Sequence, residues 1–447
     1  MVYRQRRRFL QTTGSLLGGI LVGGVASARQ SPGGEAAAPK KLNIGVIGTA
    51  NRAGANIHGV SGENIVAVCD VDQNFLDAAA DRFPTAKPFD DFRIMFDECE
   101  MDGVVVSTAD HTHAPATMMA LKKGIAVYCE KPLTHSVWEA REVARLAKKA
   151  GVATQMGTQI HAGNNYRRVV EVVQSGAIGP IHEAHCWVGK AWGGGERPPA
   201  GQMEPADFNH ELWLGPAPER PYHDFYHPAQ WRRFWDFGGG TLGDMGCHHM
   251  DLAFWALELR HPVHVDAEGP PVNAETAPTQ MRARWKFPAR KSQAGKMLRD
   301  VDLYWHDGGM KPWQMGGQPW KGKGKVLADP SVPKWGGGTL FVGEKGMLLC
   351  DYGRYVLLPE DKWQDFEAPP QSIPNSVGHY KEWLDAIRKG TPTTCNFDYS
   401  GALTETVLLG NVAYRAGTSF DWDGPNLKAS EPEAQHFIRR KYRPGWE

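Results

Sequence analysis

The sequence predicts an α/β fold: an N-terminal parallel sheet covered by helices, followed by an α+β part built on a large open, mostly antiparallel sheet. Three observations carry this. From Lys41 onward, short apolar runs alternate with helix-like segments, the β-α-β rhythm of a parallel sheet. After about residue 160 the pattern shifts to strands with one polar face, as in "IHEAHCWVG". The chain of 447 residues is too long for one small domain and suits two that share an interface.

Taken in order, "LNIGVIG", "NIVAVCD", "DGVVVST" and "AVYCEKP" are short and rich in valine, isoleucine and alanine. They read as strands buried on both faces. Between and after them, residues 74–83, 114–123 and 136–149 show helical periodicity, the last opening with the capping-box pair Ser136 and Glu139. A helix over 166–175 stops before Gly176. Later strands are "TQMRARWKF", "TLFVGEKGMLLCDYG" and "RYVLLP", with 343–346 as a hairpin tip. Residues 289–337, rich in Gly, Lys, Pro and Trp, read as a long irregular insertion, a length more often functional than not. A late helix is expected over 377–389 and a surface tail after Asp421. The expected domains are therefore 41–160, 161–425 carrying the insertion, and a tail at 426–447.

The N-terminus, "RRRFLQTTGSLLGGILVGGVASA", has a basic head, a glycine-diluted apolar stretch and an Ala26-Ser27-Ala28 ending. That is the layout of an export signal over residues 1–28. Its apolar part falls short of the ~20 residues that span a bilayer, so no stable span is expected in the mature chain. "RRRFL" is similar to a twin-arginine signal, which implies the twin-arginine machinery as a partner and a periplasmic or other extracytoplasmic location. An ordinary secretory signal or an uncleaved anchor are the alternatives. Residues 29–40 read as a flexible linker. Lysine plus arginine (50) equals aspartate plus glutamate (50), and no basic stripe follows the first eight residues, which argues against a nucleic-acid partner. The seven cysteines are odd in number and lack a C-x-x-C, so neither a disulfide framework nor a zinc site is indicated. The histidines at 182, 185, 210, 223 and 227 match no metal signature, and no metal is assigned.

The turn after the first strand, set against G-x-G-x-x-G, reads Gly48-Thr49-Ala50-Asn51-Arg52-Ala53. Gly48 makes the tight turn. Ala50 stands where a second glycine lets the backbone approach a pyrophosphate, and alanine is allowed at the third position. Asn51 tolerates unusual backbone angles, and amides at the start of the following helix can face a phosphate. Residues 48–52 are thus expected to hold a dinucleotide in a Rossmann-type domain. Asp70 lies 22 positions after Gly48, where an acid binds a ribose 2′-hydroxyl and favours NAD over NADP. Asp72 could share that role.

Two segments carry candidate chemistry. Glu130-Lys131-Pro132 follows a buried strand, and a lysine at the carboxyl end of a parallel strand can polarise a substrate oxygen. In "GGGTLGDMGCHHMDLAFWAL" (238–257), a helix capped by Thr241 would put Asp244, His248 and Asp251 on one face. A carboxylate one turn from His248 would fix its tautomer and raise its basicity as a general base. The alternative is an ordinary helix histidine with a capping acid, and His249 points elsewhere. Ten of the 16 tryptophans fall within 187–235 or 285–335. They are equally suited to stack on a pyranose and to build the second domain's core.

"KLNIGVIGTANRAG", "AVCDVD", "STADHTHAPATMMALKKGIAVYCEKPL" and the 238–257 segment together resemble the Gfo/Idh/MocA oxidoreductases over residues 41–425. The resemblance implies a Rossmann domain followed by an open-sheet α/β domain, with catalytic Lys131, Asp244 and His248. It also implies a cofactor site that includes Thr108, His113, Glu130 and Lys131 beside Gly48, Ala50, Asn51, Arg52 and Asp70. Members mostly oxidise or reduce sugars and cyclitols with NAD or NADP, and some use tightly held NAD to cleave glycosides. Ala50, where members usually carry glycine, is the departure. Outside the cytoplasm there is no evident pool of nicotinamide to exchange, so a retained NAD is expected. The expectation is an exported NAD-dependent oxidoreductase acting by hydride transfer on a sugar, cyclitol or glycoside. Its alternatives are an NAD-dependent glycosidase and a non-catalytic sugar-binding protein. One face of the second sheet would suit a homo-oligomer contact.

Overall fold

The computed structural model describes residues 40–322 and 332–446; the export signal of 1–28 and the linker of 29–40 lie outside the described residues, save Lys40. Six parallel strands form the first sheet: β1 (Asn43–Ile47), β2 (Asn64–Cys69), β3 (Lys87–Phe89), β4 (Gly103–Val106), β5 (Ala126–Cys129) and β6 (Thr154–Met156). Their order is β3-β2-β1-β4-β5-β6. The sheet is covered by α1 (Ala53–Val60), α2 (Gln73–Arg82), α3 (Phe92–Glu98), α4 (Asp110–Lys122) and α5 (Val137–Ala150). All four residues of β4 and of β5 are buried, which is why these strands read as unbroken apolar runs. The chain order reverses beside β1, and the crevice outside the strand ends at such a switch point is where ligands bind.

Helix α5 starts as its sequence requires. Ser136 accepts from the Glu139 amide while the Glu139 carboxylate accepts from the Ser136 amide. Helix α4 starts four residues before the predicted 114. Pro115 inside it has no N–H for the carbonyl of His111, and the Arg440 guanidinium supplies the missing donor at 2.5 Å. Arg440 belongs to the expected surface tail. That expectation is overturned: Arg440 Nε also donates to Glu139 at 2.7 Å, Trp138 N donates to Ile438 O at 2.9 Å, and Trp446 is buried against Phe92. Apolar residues scattered singly among charges gave no periodic signal there.

After α6 (Asn164–Ser175), nine strands form the second sheet: β7 (Ile181–Val188), β8 (His264–Glu268), β9 (Arg282–Phe287), β12 (Val301–His306), β13 (Gly337–Gly343), β14 (Met347–Cys350), β15 (Tyr355–Leu358), β16 (Phe420–Asp423) and β17 (Lys428–Ala429). Their order is β15-β14-β13-β7-β12-β9-β8-β16-β17. Only β7 and β12 pair in parallel; the other neighbours are antiparallel. Strand β12 lies at the centre of the sheet although the sequence placed it inside an irregular insertion. The two-residue strands β10 (Arg290–Lys291) and β11 (Met297–Leu298) form the hairpin leading into it. The Lys- and Gly-rich flanks of "VDLYWH" masked a strand whose Leu303 and Trp305 are fully buried.

Helices α7 (His210–Leu214), α8 (Gly240–Ala256), α9 (His379–Lys389), α10 (Phe397–Ala416) and α11 (Pro432–His436) complete the chain. Helix α10 runs through the interior, with Leu403, Val407 and Leu409 in the same core as Val143 of α5 and Trp285 of β9. Helix α9 returns to the first sheet and buries Trp383 beside Ile44 and Val46. Residues 41–447 cluster as one compact unit. All seven cysteines are free and six are buried.

Candidate active site

The turn between β1 and α1 holds the first half of the site. Gly48 has φ +80, and a Cβ there would lie 2.6 Å from the Ser107 carbonyl oxygen, so the position admits only glycine. Asp70 fixes the loop. Its Oδ2 accepts from Thr49 N (2.8 Å) and Thr49 Oγ1 (3.0 Å), and its Oδ1 accepts from Asp72 N at 3.1 Å. Burial raises the Asp70 pKa against those donated bonds. Asn51 takes the left-handed conformation with φ +53. The amides of Ala50, Asn51 and Arg52 have no partner among the described residues. Three consecutive free amides at a helix N-terminus form an anion-binding nest.

These residues open into a cleft of ≈ 520 Å³ lined by Asp70, Asp72, Thr108, Trp213, Trp231 and Trp446 among others. The donor set fits a dinucleotide: free amides for a pyrophosphate, and two acids that suit ribose hydroxyls and repel a further phosphate. Ala50 offers the same free N–H that a glycine would, so the nest is present despite the alanine. Asp72 also caps α2 through Asn74 N and Phe75 N. A strap at 207–209, beyond β7, borders the cleft. Gln73 N donates to Asp207 O and Asn209 N to Val71 O, both at 2.8 Å, and Phe208 bridges to Asp72. On the C-terminal side, Arg93 lies over the Trp446 ring at 4.4 Å and donates to Gly445 O.

Arg52, Ser107, Thr108 and Arg232 line both this cleft and a second cavity of ≈ 420 Å³. Lys131, Asp244 and His248 meet in the second cavity, with Asp110, Lys190 and Tyr352. Lys131 Nζ donates to Asp244 Oδ1 and to the Asp244 backbone oxygen, both at 2.8 Å. Arg232 Nε reaches Oδ1 at 3.2 Å, and Lys190 Nζ lies 3.8 Å from Oδ2. Burial alone would lower the Lys131 pKa, but the Asp244 and Glu130 charges outweigh it and hold the ammonium. Burial alone would raise that of Asp244, but Lys131 and Arg232 hold it well below the usual carboxylate range. Both are thus charged at neutral pH.

The expected Asp244–His248 partnership is not formed: the Asp244 carboxylate is taken by the three cations. Burial, with Lys131 adding to it, pushes His248 well below its ordinary value, so it is a neutral imidazole. Asp251 belongs elsewhere. It accepts from Tyr399 at 2.7 Å and pairs with His161 at 3.0 Å, because seven residues advance a helix by about 10.5 Å. Thr241 does not cap α8; Gly239 is the cap, and Thr241 Oγ1 accepts from Trp192 N at 2.7 Å.

Of the residues expected at the cofactor, Gly48, Ala50, Asn51, Arg52, Asp70 and Thr108 line the cleft, whereas His113, Glu130 and Lys131 line the second cavity. His113 is buried, its Nδ1 2.7 Å from Pro132 O and its Nε2 3.1 Å from Thr108 O. It braces the β4 and β5 loops against each other. Glu130 is buried and accepts from Arg52 (3.1 Å), Asn56 (3.0 Å) and Gln159 (2.8 Å). The tryptophans went largely to the core: Trp187, Trp285 and Trp305 are at most 1 % exposed, and none lines the second cavity among the described residues. Its aromatic is Tyr352, which the sequence did not single out. Lys190 and Arg232 were also missed. Arg232 stands just before the Gly238-Gly239-Gly240 run, whereas Lys190 and Tyr352 lie in loops with no pattern to mark them.

Residues 42–158 match the oxidoreductase family with an NAD-binding Rossmann fold, Gfo/Idh/MocA, and residues 165–291 match that family's C-terminal alpha/beta domain. Together the two matches span more than half of the chain. The chain belongs to the Gfo/Idh/MocA oxidoreductase family. Its first sheet is the family's NAD-binding Rossmann domain. Inositol 2-dehydrogenase from Salmonella typhimurium is 29% identical over 150 residues, which is 32% of this chain and 44% of that protein. The chain thus matches less than half the length of that relative. Among solved structures, WlbA dehydrogenase from Bordetella pertussis, in complex with NADH and UDP-GlcNAcA, superposes with a TM-score of 0.57 at 17% identity. That alignment covers 85% of this chain and 98% of WlbA. Aldose-aldose oxidoreductase from Caulobacter crescentus, complexed with glycerol, gives 0.54 at 16% identity and 86% and 100% coverage. These two share the fold. Among the described residues, no helix is long and apolar enough to cross a membrane and no group of three His, Cys, Asp or Glu could hold a metal.

Proposed function

We propose that the protein is an NAD-dependent oxidoreductase that acts on a hydroxyl-bearing carbon of a sugar or cyclitol. The observation that carries this is the contiguity of the two cavities, one lined by free amides and acids, the other by an ammonium, a carboxylate and a neutral imidazole. When bound, NAD supplies a two-electron acceptor for a C–H hydrogen. The Ala50–Arg52 amides hold its pyrophosphate, and Asp70 with Asp72 selects NAD over NADP. In the second cavity, Lys131 donates to the substrate oxygen and stabilises negative charge that develops on it. Asp244 keeps Lys131 charged and aimed. His248 accepts a hydrogen bond from a substrate hydroxyl, and Tyr352 lines the same cavity. The name of the Salmonella relative makes inositol a first substrate to try.

The strap and Trp446 line the cleft from two sides, which favours a cofactor that stays bound. A chain exported by its twin-arginine-like N-terminus would carry its NAD with it. A retained cofactor must return to its starting state within each cycle. Either a second sugar takes the hydrogen back, or the same substrate does after an elimination, which is glycoside cleavage. Purified protein is incubated with cyclitols, aldoses and aryl glycosides, with no cofactor added. Reduced nicotinamide absorbance on adding a cyclitol or aldose supports the dehydrogenase. Aryl release with solvent deuterium entering the sugar supports the glycosidase. Neither signal, in protein shown to hold NAD, refutes both.

A further inference from the structure

The lining of the second cavity carries more positive charge than its own acids answer. Four cations border it: Arg52, Lys131, Lys190 and Arg232. Against them stand three carboxyl groups, Asp110 of α4, Glu130 after β5 and Asp244 of α8. One positive charge is therefore left over even with every acid ionised. The surplus falls on two residues. Glu130 is taken by Arg52 at 3.1 Å, and Asp244 is taken first by Lys131 at 2.8 Å. Lys190 and Arg232 share what remains of the Asp244 carboxylate, and both keep donors in hand. Lys190 Nζ stands 3.8 Å from Asp244 Oδ2, beyond hydrogen-bond reach. Its one hydrogen bond among the described residues goes to the Met245 sulfur at 3.5 Å, a weak acceptor. Arg232 donates through Nε to Asp244 (3.2 Å) and through Nη1 to the Ala229 carbonyl (3.5 Å), while its Nη2 donates to nothing among the described residues.

The two cations are also placed for a ligand. The Arg232 guanidinium lies 4.2 Å from the centre of the Trp231 ring and 5.7 Å from that of Trp192. Aromatic faces hold it in place without using up its N–H donors. The Arg232 side chain is 23 % exposed and that of Lys190 51 %, so one stands inside the cavity and the other at its rim. Like charges gathered on one carboxylate favour the arrival of a second anion.

We propose that the substrate of this cavity is a sugar acid, a hexuronate or an aldonate, whose carboxylate is bound by Lys190 and Arg232 while Lys131 and His248 face the reacting hydroxyl. The inference rests on the dehydrogenase reading and narrows its substrate class. The carboxylate takes no part in bond making or breaking. It accepts from Lys190 Nζ and Arg232 Nη2, and such charge-assisted bonds are roughly twice as strong as neutral ones. The hydroxyls of a neutral polyol would leave both charges unanswered. Lys190 lines the substrate cavity alone, whereas Arg232 also borders the cofactor cleft, so Lys190 is the deciding residue.

The test uses NAD-loaded protein and compares glucuronate and gluconate with glucose and myo-inositol. At least one acid should exceed the neutral compounds in kcat/KM by ~10-fold or more, the worth of one hydrogen bond to a charged group. Preference for glucuronate marks a ring uronate as the substrate, and preference for gluconate an aldonate. Raising the ionic strength from about 0.01 to about 1 M shortens the screening length from ~30 to ~3 Å. The KM of the acid should climb over that range while that of glucose does not. Lys190→Glu should abolish the preference, read as the ratio of acid to neutral kcat/KM, from which any change common to both substrates drops out. Arg232→Lys keeps a charge beside Asp244 but removes the planar fork, and should lower the same ratio. Loss of NAD from Arg232→Lys with the ratio intact would assign that side chain to the cofactor and overturn its part. Equal kcat/KM for acids and neutral sugars in the wild type, or a ratio unmoved by Lys190→Glu, overturns the proposal. If wild type holding NAD oxidises neither class, the dehydrogenase reading fails, and calorimetric titration separates the two claims. Glucuronate binding that exceeds glucose binding and is lost in Lys190→Glu would uphold the anion site and reject only the reaction. Equal binding would reject both.

Discussion

The two halves of the site are built from different materials. The cofactor cleft presents main-chain amides at 50–52, held by Gly48 and by an aspartate bonded to its own loop. The substrate cavity presents side chains from the segments that follow β4, β5 and β7, from α4 and α8, and from the stretches that hold Arg232 and Tyr352. A backbone site tolerates a changed side chain, because the N–H is the same in glycine and alanine. A side-chain site depends on each charge being answered by another, as Asp244 is by Lys131, Arg232 and Lys190.

The largest effect that would sharpen this contrast is expected from Asp244→Ala. It leaves the buried Lys131 ammonium without its carboxylate, and breaking a buried pair from one side costs ~3–5 kcal/mol. Urea unfolding at neutral pH should show that loss. Because the folded pKa of Asp244 is depressed, the contribution is present above the ordinary carboxylate value of about 4 and is lost only as pH falls towards the depressed one. The gap between Asp244→Ala and wild type should therefore persist at neutral pH and close only in strong acid. Lys131→Ala comes next. Removing one donor to a developing oxyanion costs ~10²–10³ in kcat, while NAD content should be unchanged, since Lys131 lines the substrate cavity and not the cleft. Loss of NAD from this variant would break the division between the two regions.

Asp70→Ala should be milder. The Thr49 and Asp72 amides lose their acceptor, which costs about 1–3 kcal/mol, and NAD dissociation should quicken by roughly tenfold or more while turnover at saturating NAD stays near wild type. Ala50→Gly is expected to do least: NAD affinity within a few fold, and a stability cost below ~1 kcal/mol from the added backbone freedom. A large gain in affinity from Ala50→Gly would mean that the alanine methyl obstructs the pyrophosphate, and the backbone argument would fail.

The same contrast explains what was legible in the sequence. The parallel sheet was readable because its strands are buried on both faces and leave unbroken apolar runs. The turn at Gly48 was readable because a left-handed residue packed against Ser107 admits little else. The central strand Val301–His306 was hidden by polar flanks, and the C-terminal segment by apolar residues too sparse to form a pattern. In the substrate cavity, Lys131 was marked by its place after a buried strand and Asp244 and His248 by helical spacing, and the family resemblance joined the three. The same spacing also misled, since it added Asp251 and paired Asp244 with His248. Arg232, Lys190 and Tyr352 converge only through tertiary folding, so no local pattern marks them.

The most direct measurement is the mass of the purified protein, taken first under native and then under denaturing conditions. A dinucleotide seated on the Ala50–Arg52 amides predicts a native mass one NAD above that of the chain, with the excess lost on denaturation. A native mass equal to the bare chain, even after incubation with NAD, would contradict it.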